Sequence, residues 1–277
     1  MVEVDEGPVR CTVQAGVATV TLDNPPLNVV FRGLTVALGK VLEALAADAS
    51  VRAVVVTGAG DRAFCAGSDI AEFQPLMEPG RIVPEKLALQ HEVFARLDDF
   101  PKPTVAAING LAFGGGLEIA VCCDLLVADE SARFALPEIK LGVFPGSGGP
   151  VRVTRRIGAA RAKEMMFIGE PIAADTALAW GLVNRVAPRG QALSAAQALA
   201  ATLAQRPALA LSLCKQAIAQ SFDATKDEAI ARALPLSDRA FSSSEAREGV
   251  RAFLAKETPR FEQGLSVPIS SRKEGSP

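Results

Sequence analysis

The chain has 277 residues and a mass of 28.9 kDa, which suits one large α/β domain or one domain with a helical appendage. With 49% hydrophobic and 22% charged residues, it has the composition of an ordinary soluble globular protein. Lys+Arg 29 against Asp+Glu 31 and a pI near 5.7 argue against a partner held by net positive charge, such as a nucleic acid or an anionic membrane surface.

At the N-terminus, MVEVDEGPVR is acidic and lacks an apolar h-region, so a cytoplasmic protein is expected. Val13 to Leu22 reads as two short strands around Gly16, after which Asn24-Pro25-Pro26 breaks the pattern. Helical spacing predicts a helix from Leu34 to Ala47, and Val51 to Thr57 reads as a buried strand closed by Gly58 and Gly60. A helix over about residues 85–97 carries the stripe Leu87, Leu89, Val93, Phe94 and Leu97. It also holds the only histidine, His91, read as a structural or surface residue. Most Ser–His–Asp and Cys–His schemes would need that one side chain, and no tyrosine exists to act as an acid. The strand pair TVAAI and LAF follows, then a helix from about Gly115 to Cys123. Strand, strand, helix has by then recurred, which suggests a coiled series of ββα units.

Beyond about residue 150 the pattern is mostly helical: Ala159 to Phe167, Ala173 to Trp180, Gln191 to Ala204, Ala208 to Ser221, Lys226 to Leu234 and Ser244 to Leu254. The tail SSRKEGSP is polar and expected to be disordered. Cys11, Cys65, Cys122, Cys123 and Cys214 form no CxxC pair and no zinc spacing, as expected of reduced thiols. No uninterrupted apolar run is long enough to span a membrane.

Two glycine-rich stretches imitate known motifs without their context. Gly58 to Ala63 fits the dinucleotide fingerprint G-x-G-x-x-A, but a Gly-punctuated segment follows it where a long helix is needed. Pro145-Gly146-Ser147-Gly148-Gly149 has proline where a nucleophile elbow needs glycine, and it lacks the Lys of a P-loop. Gly114-Gly115-Gly116 is different, since it follows a strand and opens an apolar helix. Free N–H groups there can stabilise an oxyanion, or the glycines can form a plain tight turn. Glu118, on the first turn of that helix, is a helix-dipole partner or a buried functional group. Glu138, in the apolar stretch Phe134 to Val143, makes a candidate acid/base pair with it, against two ordinary surface or capping glutamates.

Ile108 to Leu125 (INGLAFGGGLEIAVCCDL) resembles the signature of the enoyl-CoA hydratase/isomerase (crotonase) superfamily. Arg62 to Ile70 resembles its first oxyanion segment, and Phe134 to Gly149 its second catalytic segment. Met165 to Val186 and Glu248 to Lys256 match its later motifs, so the resemblance spans nearly the whole chain. It implies an α/β fold, a crotonase-like spiral of ββα units over residues 1–205, with a helical region over 206–277 for trimerisation and CoA contact. It implies a homotrimer or dimer of trimers acting on acyl-CoA thioesters, with no metal or redox cofactor and CoA entering as substrate.

By motif position, the resemblance implies Ser68 N–H and Gly115 N–H as the oxyanion donors. It assigns Glu118 as base on the attacking water and Glu138 as proton donor to the α-carbon. It also implies CoA contacts along Ala66, Ser68, Asp69 and Ile70, and from Lys256, in relatives often across a subunit boundary. Ala71 departs from the lysine often found there, which leaves Arg62 or Arg32 as candidate phosphate contacts. Glu72 to Pro84 would shape the acyl pocket. The implied activity is enoyl-CoA hydration. The alternatives are a carnitinyl-CoA-type dehydratase, an isomerase, which Glu118 argues against, or a non-catalytic acyl-CoA- or RNA-binding relative.

Overall fold

The computed structural model describes residues 2–261, and the tail expected to be disordered lies outside them. The chain opens with an antiparallel meander of β1 (Val2–Asp5), β2 (Val9–Gln14) and β3 (Val17–Leu22), followed by α1 (Arg32–Ala47). A first strand pair, β4 (Ala53–Gly58) and β5 (Ala63–Cys65), leads through short helical turns to α2 (Ala88–Asp98). A second pair, β6 (Thr104–Ile108) and β7 (Leu111–Phe113), leads to α3 (Gly115–Ala120). A third, β8 (Leu125–Asp129) and β9 (Arg133–Ala135), leads to α4 (Gly149–Ile157) and α5 (Ala159–Ile168). Then come β10 (Ile172–Ala173), α6 (Ala174–Trp180), β11 (Arg185–Ala187) and α7 (Ala192–Ala204), and last α8 (Ala208–Ser221), α9 (Lys226–Phe241) and α10 (Ser244–Ala255).

Each pair deals one strand to each of two sheets. The larger has the order β1-β2-β3-β4-β6-β8-β11 and is parallel from β3 onward; the smaller has the order β10-β9-β7-β5 and is parallel from β5 to β9. This is the wound ββα arrangement expected from the repeated pattern. The turn inside the first pair is the false dinucleotide fingerprint. Asn109 Nδ2 donates to the carbonyls of Gly58 and Gly60, and Asn28 Nδ2 to those of Ala59 and Ala63, so the segment bends between sheets instead of opening a helix.

Side chains alternate along the large sheet, as strand geometry requires. Val54 and Val56 join the main core with Phe64, Ile108, Leu117 and Phe134. Ala53 and Val55 face the other way, with Val105, Ala107 and Val127, onto Ala196 and Ala200 of α7. Both faces are covered, which is why Ala53 to Val56 reads as one unbroken apolar run.

The structure departs from the predicted elements at several points. The short strands β1, β5, β8, β9, β10 and β11 and helix α4 are not among them. In α4 only Gly149, Val153 and Ile157 are buried, and Pro150 sits in the first turn, where a missing N–H costs nothing. The spacing predicts a helix ending at Leu234, but α9 continues through Pro235 to Phe241. It is started firmly by a Thr225–Glu228 capping box and has no buried residue, so the proline's lost hydrogen bond falls on a solvated helix. His91 is exposed, as expected.

The last three helices join the body through few polar ties. Lys215 on α8 pairs with Asp124 at 2.9 Å and Arg155 on α4 with Asp223 at 2.7 Å, while within the group Glu245 on α10 accepts from the N–H groups of Ala208 and Leu209 at the start of α8. Their surface leaves Phe241 and Phe253 each 82% exposed, with Leu254 at 75%. Among the described residues no helix is long and apolar enough to cross a membrane.

Candidate active site

Three adjacent parallel strands of the small sheet, β5, β7 and β9, end side by side. Ser68 follows the end of β5, Gly115 follows β7, and Glu138 follows β9, each within three residues. The carboxyl edge of this sheet therefore gathers three chain segments that lie far apart in sequence.

Two backbone N–H groups meet there. Val30 forms a parallel bridge opposite Ser68: its N–H donates to Gly67 O (2.7 Å) and its carbonyl accepts from Asp69 N–H (2.8 Å). The bridge uses the residues on either side, so Ser68 N–H donates to no acceptor among the described residues. Gly115 is the first residue of α3, where an N–H has no intrahelical acceptor. A Cβ on Gly115 would lie 3.6 Å from Ser68 N, so the two donors are neighbours. The other two glycines have different work. Gly114 holds φ +48°, and a Cβ there would come within 2.9 Å of Glu138 Oε1; a Cβ on Gly116 would lie 2.1 Å from Cys65 O.

Glu118, on the first turn of α3, is 3% exposed. Its Oε1 accepts from Ser147 N–H and Gly149 N–H, each at 2.8 Å, while its Oε2 accepts no hydrogen bond from the described residues. Burial pushes its pKa up, opposed by those two N–H groups and by the Arg152 guanidinium. Glu138 lies in the helical turn Pro137–Leu141, and its Oε2 is buried with no partner among the described residues. Burial pushes its pKa up to about 7, opposed by its own backbone N–H and reinforced by the charge of Glu118. Burial acts on both carboxyls; against it Glu118 has two loop N–H groups and the Arg152 guanidinium, and Glu138 its own backbone N–H alone.

The remaining predicted residues divide. Ala66, Ser68 and Asp69 are half-buried, and Ile70 is exposed, along one rim of the site. Asp69 Oδ1 accepts from Ala71 N–H and starts the turn Ile70–Glu72. Arg62 and Arg32 are both exposed, and Arg32 Nη1 donates to Glu85 O. Lys256 stands exposed at the end of α10, and no hydrogen bond or ion pair ties it to these residues. Among the described residues, no group of three or more His, Cys, Asp or Glu side chains could hold a metal ion.

A model of the family described as enoyl-CoA hydratase/isomerase matches residues 12–264. The chain belongs to that family. It is 37% identical over 242 residues to the short-chain-enoyl-CoA hydratase of Clostridium acetobutylicum, covering 87% of this chain and 92% of that protein. It is 39% identical over 249 residues to the 2,3-dehydroadipyl-CoA hydratase of Escherichia coli, covering 90% and 96%. Among solved structures, DspI of Pseudomonas aeruginosa superposes with TM-score 0.89 at 33% identity, covering 94% of this chain and 98% of the other. An enoyl-CoA hydratase from Bacillus anthracis gives 0.88 at 30%, covering 94% and 100%.

Within this enoyl-CoA hydratase/isomerase fold, several residues that shape the site escaped sequence reasoning. Ser147 and Gly149, part of the false nucleophile elbow, are the donors that hold Glu118. Gln90 and Arg152, which bind Ser147, carried no motif. Gln90 did leave one signal: it is a polar residue placed within the apolar stripe of its helix.

Proposed function

We propose that the chain is an enoyl-CoA hydratase that reversibly adds water to a trans-2-enoyl-CoA thioester. The observation that carries this reading is a buried Glu118 and a half-buried Glu138 with an unpartnered Oε2, beside two backbone N–H groups with no acceptor among the described residues. The thioester oxygen accepts from Ser68 N–H and Gly115 N–H, which stabilise the enolate as it forms; one such donor is worth roughly 10²–10³ in rate. Glu118 Oε2 takes a proton from the water attacking the β-carbon, since its Oε1 is already held by two donors. Glu138, the carboxyl that keeps its proton near neutrality, delivers one to the α-carbon. In the reverse direction, loss of water, Glu138 takes the α-proton and Glu118 returns a proton to the departing β-hydroxyl.

CoA, as part of the substrate, runs along Ala66, Ser68, Asp69 and Ile70, with Lys256 of a neighbouring copy near its nucleotide. Arg62 or Arg32 serves the phosphates in place of the lysine that Ala71 replaces. The exposed Phe241, Phe253 and Leu254 support a homotrimer or dimer of trimers built through α8, α9 and α10. Cysteines left free, four of them buried, suit a cytoplasmic location.

The test is the loss of conjugated-thioester absorbance when purified protein meets crotonyl-CoA. Rapid loss is expected. Binding without loss would overturn short-chain hydration and direct attention to charged or bulky acyl groups, for which the segment after Glu72 is the pocket wall.

A further inference from the structure

The loop that holds Glu118 is itself held from three sides. Ser147 is 3% exposed and every polar group it has is engaged. Its N–H donates to Glu118 Oε1 (2.8 Å), its Oγ donates to Gln90 Oε1 (2.7 Å), and its carbonyl accepts from Arg152 Nη1 (3.1 Å). Gln90 is 2% exposed and shares the buried face of α2 with Val93, Phe94 and Leu97. Further along the same helix, Asp98 Oδ2 accepts from Arg152 Nε at 2.8 Å. At the other end of this stretch, the Leu87 methyls lie 3.2 Å from where a Gly146 Cβ would be. Helix α2 and the turn before it thus grip residues 146–152 at three points.

A buried hydroxyl–amide pair is costly to desolvate unless both ends are satisfied, and an apolar pair would fill the same space. Here the pair anchors the Ser147 side chain. With the hydroxyl and carbonyl both held, the Ser147 Cα is fixed, which restricts the swing of its N–H and of the carboxylate that it holds. We propose that Gln90 and Ser147 are positioning residues of the hydration reaction: their hydrogen bond sets the loop whose N–H groups fix Glu118 Oε1, and thereby aims Oε2 at the attacking water. The proposal rests on the two-glutamate reading above. It also links the acyl-pocket segment to the base, because α2 continues directly from that segment.

The test compares Ser147→Ala, Gln90→Met, the double variant, and each single change in a Glu118→Gln background, using crotonyl-CoA as substrate. Misplacing the base should lower kcat by roughly 10- to 100-fold. KM should stay within about twofold, because no substrate contact is removed. The double variant should be no slower than the worse single variant, and neither change should slow Glu118→Gln further. Gln90→Met nearly preserves side-chain volume, so it reads the hydrogen bond apart from packing, with thermal melting reporting the fold. Folded Ser147→Ala and Gln90→Met with wild-type kcat, beside an inactive Glu118→Gln, would overturn the positioning role alone. Additive losses, or a further loss in the Glu118→Gln background, would also overturn it. Full activity in Glu118→Gln itself would overturn the two-glutamate reading and this proposal with it.

Discussion

Glu138 is a carboxyl that the fold keeps uncomfortable. Burial, with the charge of Glu118 added, raises its pKa from 4.5 to about 7. A raised folded-state pKa means the protonated form is favoured in the native state. Its contribution to stability is therefore present below about pH 4.5 and is lost as pH climbs through about 7. Glu138→Gln, neutral at every pH, should exceed wild type in stability at pH 8 by roughly 1–3 kcal/mol and by little at pH 5. Urea midpoints at one protein concentration check this, and equal midpoints at pH 8 would contradict it. Gly116 makes the opposite kind of demand. A Cβ at 2.1 Å from Cys65 O must move backbone, so Gly116→Ala should destabilise by roughly 1–3 kcal/mol. It should also displace α3 with its Gly115 N–H, seen as lower kcat together with a lower melting temperature. At this scale the sequence told much. Three glycines before an apolar helix with a glutamate on its first turn suggested a tight turn or an anion-facing N–H; the structure shows the turn, and the proposed function uses the Gly115 N–H that opens α3. The donors to Glu118 were invisible because they are backbone groups on a loop distant in sequence.

The segment between β5 and α2 is fixed at one carboxylate. Glu72 Oε1 accepts from Arg32 N–H at the start of α1, and Oε2 accepts from Lys86 Nζ at 2.5 Å. Lys86 is 5% exposed, with the Phe73 ring 5.4 Å from its ammonium. Removing one partner of a buried ion pair leaves a charge without compensation, at a cost of roughly 3–5 kcal/mol. Glu72→Ala should therefore loosen this segment and speed proteolytic nicking within it, while Glu72→Ala with Lys86→Met should recover most of the resistance. Equal nicking in the single and double variants would contradict the latch. Pro75 and Pro84 break the helical period here, and without a period sequence reading found no template. Apart from α9, which runs on past Pro235, the long periodic helices were legible to within a few residues. The two- and three-residue strands of the small sheet were mostly not, because such short runs lack a repeat; yet their ends carry Gly115 and Glu138.

At the scale of the molecule, the two sheets came through as a repeated strand–strand–helix cadence, whereas which strands neighbour one another did not. That adjacency is long-range pairing, and it is what brings Ser68, Gly115 and Glu138 to one edge. The C-terminal helices were legible as helices, and the exposure of Phe241 and Phe253 became evident only in three dimensions. Phe253→Glu should dissociate the proposed trimer or dimer of trimers, with the mass in solution falling from about three or six times 28.9 kDa toward one. Light scattering on wild type and variant checks this, and a wild type that is already monomeric would contradict it.

The most direct measurement is the single-turnover rate of crotonyl-CoA hydration by Glu118→Gln and Glu138→Gln, with substrate binding measured alongside. Acid and base catalysis by positioned carboxyls is worth roughly 10²–10⁴ each, so both variants should bind the thioester and lose rate by that order. Either variant hydrating at near the wild-type rate would show that the two carboxyls do not share the proton transfers.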